Sequence, residues 1–134
     1  MLEVPVPVTA ASSEDDETIL LVDDDEEVRT LASGVLRVQA YVVLEAATPD
    51  EALAICSKHK DPIDLLLTDV VMPIMSGREL AERVRPLRPY AKIMYMSGYP
   101  GDVIGKHGVL TSGSFVQKPF TPATLAEKVR EVFA

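Results

Sequence analysis

Five polar residues stand where short apolar runs stop. Asp23 and Asp24 follow Ile19-Leu20-Leu21-Val22, Asp69 follows Leu65-Leu66-Leu67-Thr68, Ser97 follows Ile93-Met94-Tyr95-Met96, and Lys118 follows Phe115-Val116-Gln117. Gathered in one pocket, the carboxylates of Asp23, Asp24 and Asp69 would repel, and at least one would tend to hold a proton. A divalent cation relieves that repulsion. A few hard oxygen ligands, with room left for water and phosphate oxygens, suit Mg²⁺. A carboxylate can then attack phosphorus and form an aspartyl phosphate. Such a transfer needs mainly positioning and charge neutralisation. Asp69 suits the acceptor. Asp24 and Asp69 suit direct metal ligands, with Asp23 close by or acting through water, and the backbone carbonyl of Val71 can complete the set. Lys118 offers a compact cation for phosphate. The Ser97 hydroxyl can donate to a phosphoryl oxygen. Singly, each is an ordinary loop residue; the joint pattern carries the weight.

That pattern requires the runs to be strands sharing one edge. The β-branched, apolar residues 18–22 suit a buried first strand. A helix should follow, with Val28, Leu31, Ala32, Val35 and Leu36 at helical spacing. Asp25, Glu26 and Glu27 have a structural role there, at the positive end of the helix dipole. Asp23 and Asp24 lie before the helix and are not explained that way. Residues 41–45 predict a second strand, and Thr48-Pro49-Asp50-Glu51 a helix start with Thr48 as N-cap. Cys56 is expected in that helix's core face. The third strand ends at Asp69, and Pro73 and Gly77 force a loop. Ser76 with Glu79 fits a capping box for a third helix, which Pro86 and Pro89 should end. Residues 91–96 predict a fourth strand. The glycine-rich stretch 98–108 allows only a weak helix. Residues 114–117 predict a fifth strand, and Thr121-Pro122 opens a last helix bearing Leu125, Val129, Val132 and Phe133. His59 and His107 lack ligand partners and are expected at the surface. Alternating strands and helices argue a doubly wound five-stranded parallel sheet; right-handed crossovers leave few arrangements, of which the order 2-1-3-4-5 is the natural choice. Ligands bind such sheets at the carboxyl ends of the strands.

Bulk properties agree with one α/β domain. The 134 residues are 47% hydrophobic, enough for one sizeable core. A net charge of −8 opposes nonspecific nucleic-acid binding. No apolar run approaches the roughly 18 residues of a membrane span. The start does not read as a secretory signal, and the single cysteine cannot form an internal disulfide. A cytoplasmic protein without direct membrane contact is expected. Residues 1–17, with Val4-Pro5-Val6-Pro7-Val8 and an acidic run, predict a linker or the tail of an upstream domain.

The sequence resembles the receiver domains of two-component response regulators. The resemblance rests on Leu21-Val22-Asp23-Asp24-Asp25, Leu67-Thr68-Asp69-Val70-Val71-Met72-Pro73-Ile74-Met75-Ser76-Gly77, Met96-Ser97-Gly98 and Phe115-Val116-Gln117-Lys118-Pro119-Phe120. It covers residues 18–134 and implies a flavodoxin-like (βα)5 fold. It also implies that Asp69 is the phosphoacceptor and that Asp23 and Asp24, with the Val71 carbonyl, bind Mg²⁺. Ser97 and Phe115 match the switch positions, Lys118 the family's lysine, and the Lys118-Pro119 bond is expected to be cis. The implied donor is a histidine kinase, in cis or trans, or a histidine phosphotransfer domain. No nucleic-acid partner is implied, and a monomer or weak dimer is expected. The domain would catalyse its own phosphorylation and dephosphorylation without being an enzyme acting on a separate substrate. The segments around Ser97 and Lys118 look most like the C-terminal receiver of a hybrid sensor histidine kinase.

Val71 and Tyr99, which should flank the phosphoryl group, cannot orient water, so slow autodephosphorylation is expected. Phosphorylation should switch the face around residues 97–118, with Phe115 acting by packing alone. Two rivals remain. Asp23 and Asp25 resemble the start of haloacid-dehalogenase-like phosphatases, with Asp23 as nucleophile, but Glu27 departs from that motif. A degenerate receiver acting only as a binding module is opposed by the complete acidic set with Ser97 and Lys118.

Overall fold

Alternation within each strand divides the core into two layers. In the first strand of the computed structural model, Ile19 and Leu21 face one side of the sheet and Leu20 and Val22 the other, and all are fully buried. The structure describes residues 16–98 and 114–134. Within these, the order is β1 (Thr18–Val22), α1 (Glu26–Val38), β2 (Val42–Ala46), α2 (Pro49–Lys58), β3 (Leu65–Asp69), α3 (Gly77–Leu87), β4 (Lys92–Ser97), β5 (Ser114–Gln117) and α4 (Pro122–Phe133). The five strands form a parallel sheet in the order β2-β1-β3-β4-β5, as the alternation predicts. One layer packs Leu20, Val22, Leu66 and Tyr95 with Ala52 and Cys56 of α2 and Leu80 and Val84 of α3. The other packs Ile19, Leu21, Leu67, Met94 and Val116 with Ala32 and Leu36 of α1 and Leu125 and Val129 of α4. β3 is buried along its whole length, as a central strand covered on both faces must be.

Helix starts follow local chemistry. Asp25 caps α1 through the N–H groups of Glu27 and Val28, Thr48 caps α2, and Thr121 caps α4 with Pro122 in the first turn. Ser76 and Glu79 form the expected capping box of α3.

Several expectations shift. Pro86 does not end α3, which runs to Leu87. Pro86 and Glu82 are both exposed, so water can serve the carbonyl that loses its donor. β2 and β4 begin and end one residue later than expected, which makes Ser97 the last residue of its strand. Leu31 is 45% exposed instead of buried; it lines a shallow apolar groove with Val35, Val38 and Ala126. His59 is half-buried rather than a surface residue, and its carbonyl accepts from Arg88. Arg88 also reaches the carbonyls of Cys56 and Asp61, closing the C-terminal end of α2. The expectations for residues 1–15, Tyr99, the glycine-rich stretch and His107 lie outside the described residues.

Candidate functional site: an acidic cluster at the carboxyl edge of the sheet

Register brings the polar strand ends together. Val22 pairs with Thr68, so Asp23 and Asp69 leave adjacent strands side by side. Asp69 pairs with Met96, and Ser97 pairs with Gln117, which places Ser97 and Lys118 at the same edge. The Lys118 N–H donates to the Ser97 carbonyl at 2.7 Å, tying β5's exit to β4's. The Lys118-Pro119 bond is cis, as expected.

Asp23 is fully buried and held from several sides. Its N–H donates to the Ala46 carbonyl at 3.2 Å, and its Oδ1 accepts the Asp25 N–H at 2.8 Å. Its carbonyl accepts from Arg29 Nη1 at 2.8 Å. Oδ2 lies 3.0 Å from Lys118 Nζ in an ion pair, and among the described residues this buried oxygen has no well-aligned hydrogen-bond donor. Asp69 is 8% exposed, and its Oδ1 lies 3.2 Å from the same ammonium. Asp24 is exposed and opens the cluster to solvent. One carboxylate oxygen from each of Asp23, Asp24 and Asp69 falls within 4.8 Å of the others.

These charges decide the titration. Burial raises the Asp69 carboxyl to about 6, Asp23 adds to the rise, and Lys118 opposes it. Burial pulls the Lys118 ammonium down, but contacts with Asp23 and Asp69 outweigh it, and its pKa lies above the ordinary value. Three hard oxygens close together, one buried without an aligned donor and one open to water, fit a small divalent cation.

The loop after Asp69 is built for close approach. The Gly77 N–H donates to the Val70 carbonyl at 2.7 Å, and a Cβ on Gly77 would stand 2.1 Å from the Asp69 carbonyl oxygen. Met72 and Met75 anchor the loop, while Val71, two residues beyond Asp69, is 53% exposed. Ile74 is 96% exposed with φ 75°, a left-handed conformation rare for a β-branched residue. Ser97 is buried at the end of β4, and Phe115 is half-buried against the layer that contains Tyr95. Thus Lys118 pairs with both Asp23 and Asp69, Asp24 completes the carboxylate cluster, Ser97 lies at the same edge, and Phe115 sits further back on the neighbouring strand. Sequence reading missed Arg29 and the steric need for Gly77. An arginine six residues past Asp23 gives no local signal of its carbonyl contact.

Residues 19–130 match the family of the response regulator receiver domain. This chain belongs to that family. The receiver is 35% identical over 98 residues to the sensor kinase CckA of Brucella abortus, covering 72% of this chain and 10% of that protein. It is 36% identical over 96 residues to a chemotaxis protein CheY homolog of Campylobacter jejuni, covering 67% of this chain and 71% of that protein. Among solved structures, the receiver domain of the hybrid histidine kinase CckA superposes with a TM-score of 0.74 at 38% identity, covering 87% of this chain and 99% of that one. The chemotaxis protein CheY4 of Vibrio cholerae superposes at 0.77 with 29% identity, covering 87% and 98%. The receiver thus spans a tenth of the sensor kinase but most of the chemotaxis protein. It is a receiver domain of two-component signalling, and this membership does not favour the phosphatase or binding-only readings. Among the described residues no helix is long and apolar enough to cross a membrane.

Proposed function

We propose that Asp69 accepts a phosphoryl group from the phosphohistidine of a histidine kinase or a histidine phosphotransfer domain. One observation carries this reading. Asp69 ends the central strand with acidic oxygens of Asp23 and Asp24 within 4.8 Å and the Lys118 ammonium at 3.2 Å. The ionised Asp69 carboxylate attacks phosphorus. The new O–P bond forms as the P–N bond to the donor imidazole breaks, and the electron pair returns to that ring. Lys118, already paired with Asp69, turns its charge to the incoming phosphoryl oxygens. Ser97, at the same edge, donates to one of them.

Asp23, Asp24 and Asp69, with the Val71 carbonyl, would hold Mg²⁺. When bound, that ion supplies charge neutralisation between the acceptor and the phosphoryl oxygens. The domain works as its own catalyst and not as an enzyme on a separate substrate. Residues 18–134 are the working unit, and residues 1–17 a linker or upstream tail. The domain works in the cytoplasm as a monomer or weak dimer, and the net charge of −8 over the whole chain supports a protein partner over nucleic acid. The transferred charge would draw Ser97 toward the phosphoryl group, with Phe115 responding by packing.

The test is intact-mass spectrometry after incubation with acetyl phosphate and Mg²⁺. A single phosphoryl adduct is expected, lost with EDTA and absent in Asp69→Asn. An adduct that persists in Asp69→Asn would overturn the assignment.

A further inference from the structure

We infer that Arg29 is a positioning residue that holds the Asp23-Asp24 turn for the cation, and that Glu45 anchors it from β2. The inference rests on reading Asp23, Asp24 and Asp69 as a Mg²⁺ site. Arg29 Nη1 donates to the Asp23 carbonyl at 2.8 Å, while Nε lies 3.5 Å from Glu45 Oε1. The arginine side chain is only 17% exposed. Glu45 is itself fixed: its Oε2 accepts from Ser33 Oγ at 2.9 Å and from Arg37 Nη2 at 3.3 Å. Arg37 in turn donates to Ser33 Oγ at 2.9 Å and to the Val43 carbonyl at 3.1 Å. A polar chain therefore runs from β2 through the α1 face to the peptide that joins Asp23 to Asp24.

That peptide sets where the Asp24 carboxylate points. Asp23's N–H and Oδ1 are held by Ala46 and by its own turn, and Arg29 supplies the hold on the remaining carbonyl. Repulsion among the three carboxylates pushes the exposed Asp24 outward, and the Arg29 clasp opposes it. Arg29 reaches the site through a carbonyl, so it needs no contact with the cation or the phosphoryl group. Groups that orient ligands in this way typically alter metal affinity by about 10- to 100-fold.

The test is a Mg²⁺ titration of the full chain, followed by amide NMR shifts, on the parent, Arg29→Gln, Arg29→Lys and Glu45→Gln. Arg29→Gln is expected to raise the Mg²⁺ Kd about tenfold. Arg29→Lys should restore part of the affinity, and Glu45→Gln should raise Kd by less than Arg29→Gln. With acetyl phosphate, the rate lost in Arg29→Gln should return at saturating Mg²⁺. A purely structural arginine would lower the melting temperature and leave Kd unmoved. A folded Arg29→Gln with the parent's Kd would overturn the inference. Should Arg29→Gln not fold, Glu45→Gln decides, and an unchanged Kd there overturns it equally. A parent that binds no Mg²⁺ refutes the metal-site reading itself, which is a separate failure.

Discussion

Replacing Asp69 by Asn should stabilise the metal-free domain at neutral pH and not in acid. The Asp69 carboxyl moves from 3.8 to about 6, mainly through burial and then through Asp23. Its raised pKa means that the folded state holds this proton more tightly than the unfolded chain does. Below about pH 4 both states are protonated and the carboxylate costs nothing. As pH rises towards about 6, the unfolded chain ionises more readily, and folding stability is lost; above that the loss is constant. A rise of about two units corresponds to roughly 3 kcal/mol at about 1.4 kcal/mol per unit. That figure already includes the opposing attraction of Lys118. Asn cannot ionise, so the variant escapes the cost. In EDTA, urea unfolding followed by circular dichroism should show Asp69→Asn more stable by about 1–3 kcal/mol near pH 7.5, a midpoint shift on the order of 1 M. Near pH 4 the two curves should converge. Adding Mg²⁺ should stabilise the parent more than the variant, because binding to the folded state adds stability by mass action. A gap of the same size at both pH values, or a variant weaker than the parent near pH 7.5, would refute the electrostatic reasoning.

Other perturbations read different parts of the structure. Gly77→Ala would set a methyl 2.1 Å from the Asp69 carbonyl oxygen, with only backbone to give way; a loss of about 2–3 kcal/mol by urea unfolding, with slower phosphorylation by acetyl phosphate, is expected. Ile74 and Ala40 hold φ 75° and 73°. Ile74→Gly and Ala40→Gly should each stabilise the domain by about 0.5–1 kcal/mol, since relief of the left-handed penalty exceeds the added freedom of the unfolded chain, and thermal unfolding checks both. Arg88→Ala removes three hydrogen bonds to the carbonyls of Cys56, His59 and Asp61; a loss of about 1–2 kcal/mol, with faster amide exchange at the end of α2, is expected.

What the sequence made legible was local. Runs such as Leu65-Leu66-Leu67-Thr68 that stop at a carboxylate reveal buried strands and their ends. Thr48 with Pro49, Ser76 with Glu79, and Thr121 with Pro122 reveal helix starts, because a cap acts within one turn. Handedness then leaves few strand orders, and in the order 2-1-3-4-5 Asp23, Asp69, Ser97 and Lys118 share one edge. Local rules failed where context decides. Pro86 is tolerated in the last turn of α3 because the affected carbonyl's residue is exposed. Leu31 follows helical spacing but lines an open groove. Contacts that join distant segments left no trace in spacing. Arg29 on Asp23 is fixed by Glu45 on a different strand, and Gly77 is required by the Asp69 carbonyl.

The central claim is that Asp69, and no other acid of the cluster, carries the phosphoryl group. The most direct measurement is to phosphorylate the chain with acetyl phosphate and Mg²⁺, reduce the acyl phosphate with borohydride, and sequence the peptides by tandem mass spectrometry. Reduction converts a phosphorylated aspartate to homoserine and so marks its position. The mark should fall on Asp69, with Asp23 and Asp24 unmodified. A mark on Asp23 would contradict the account and restore the reading in which that residue is the nucleophile.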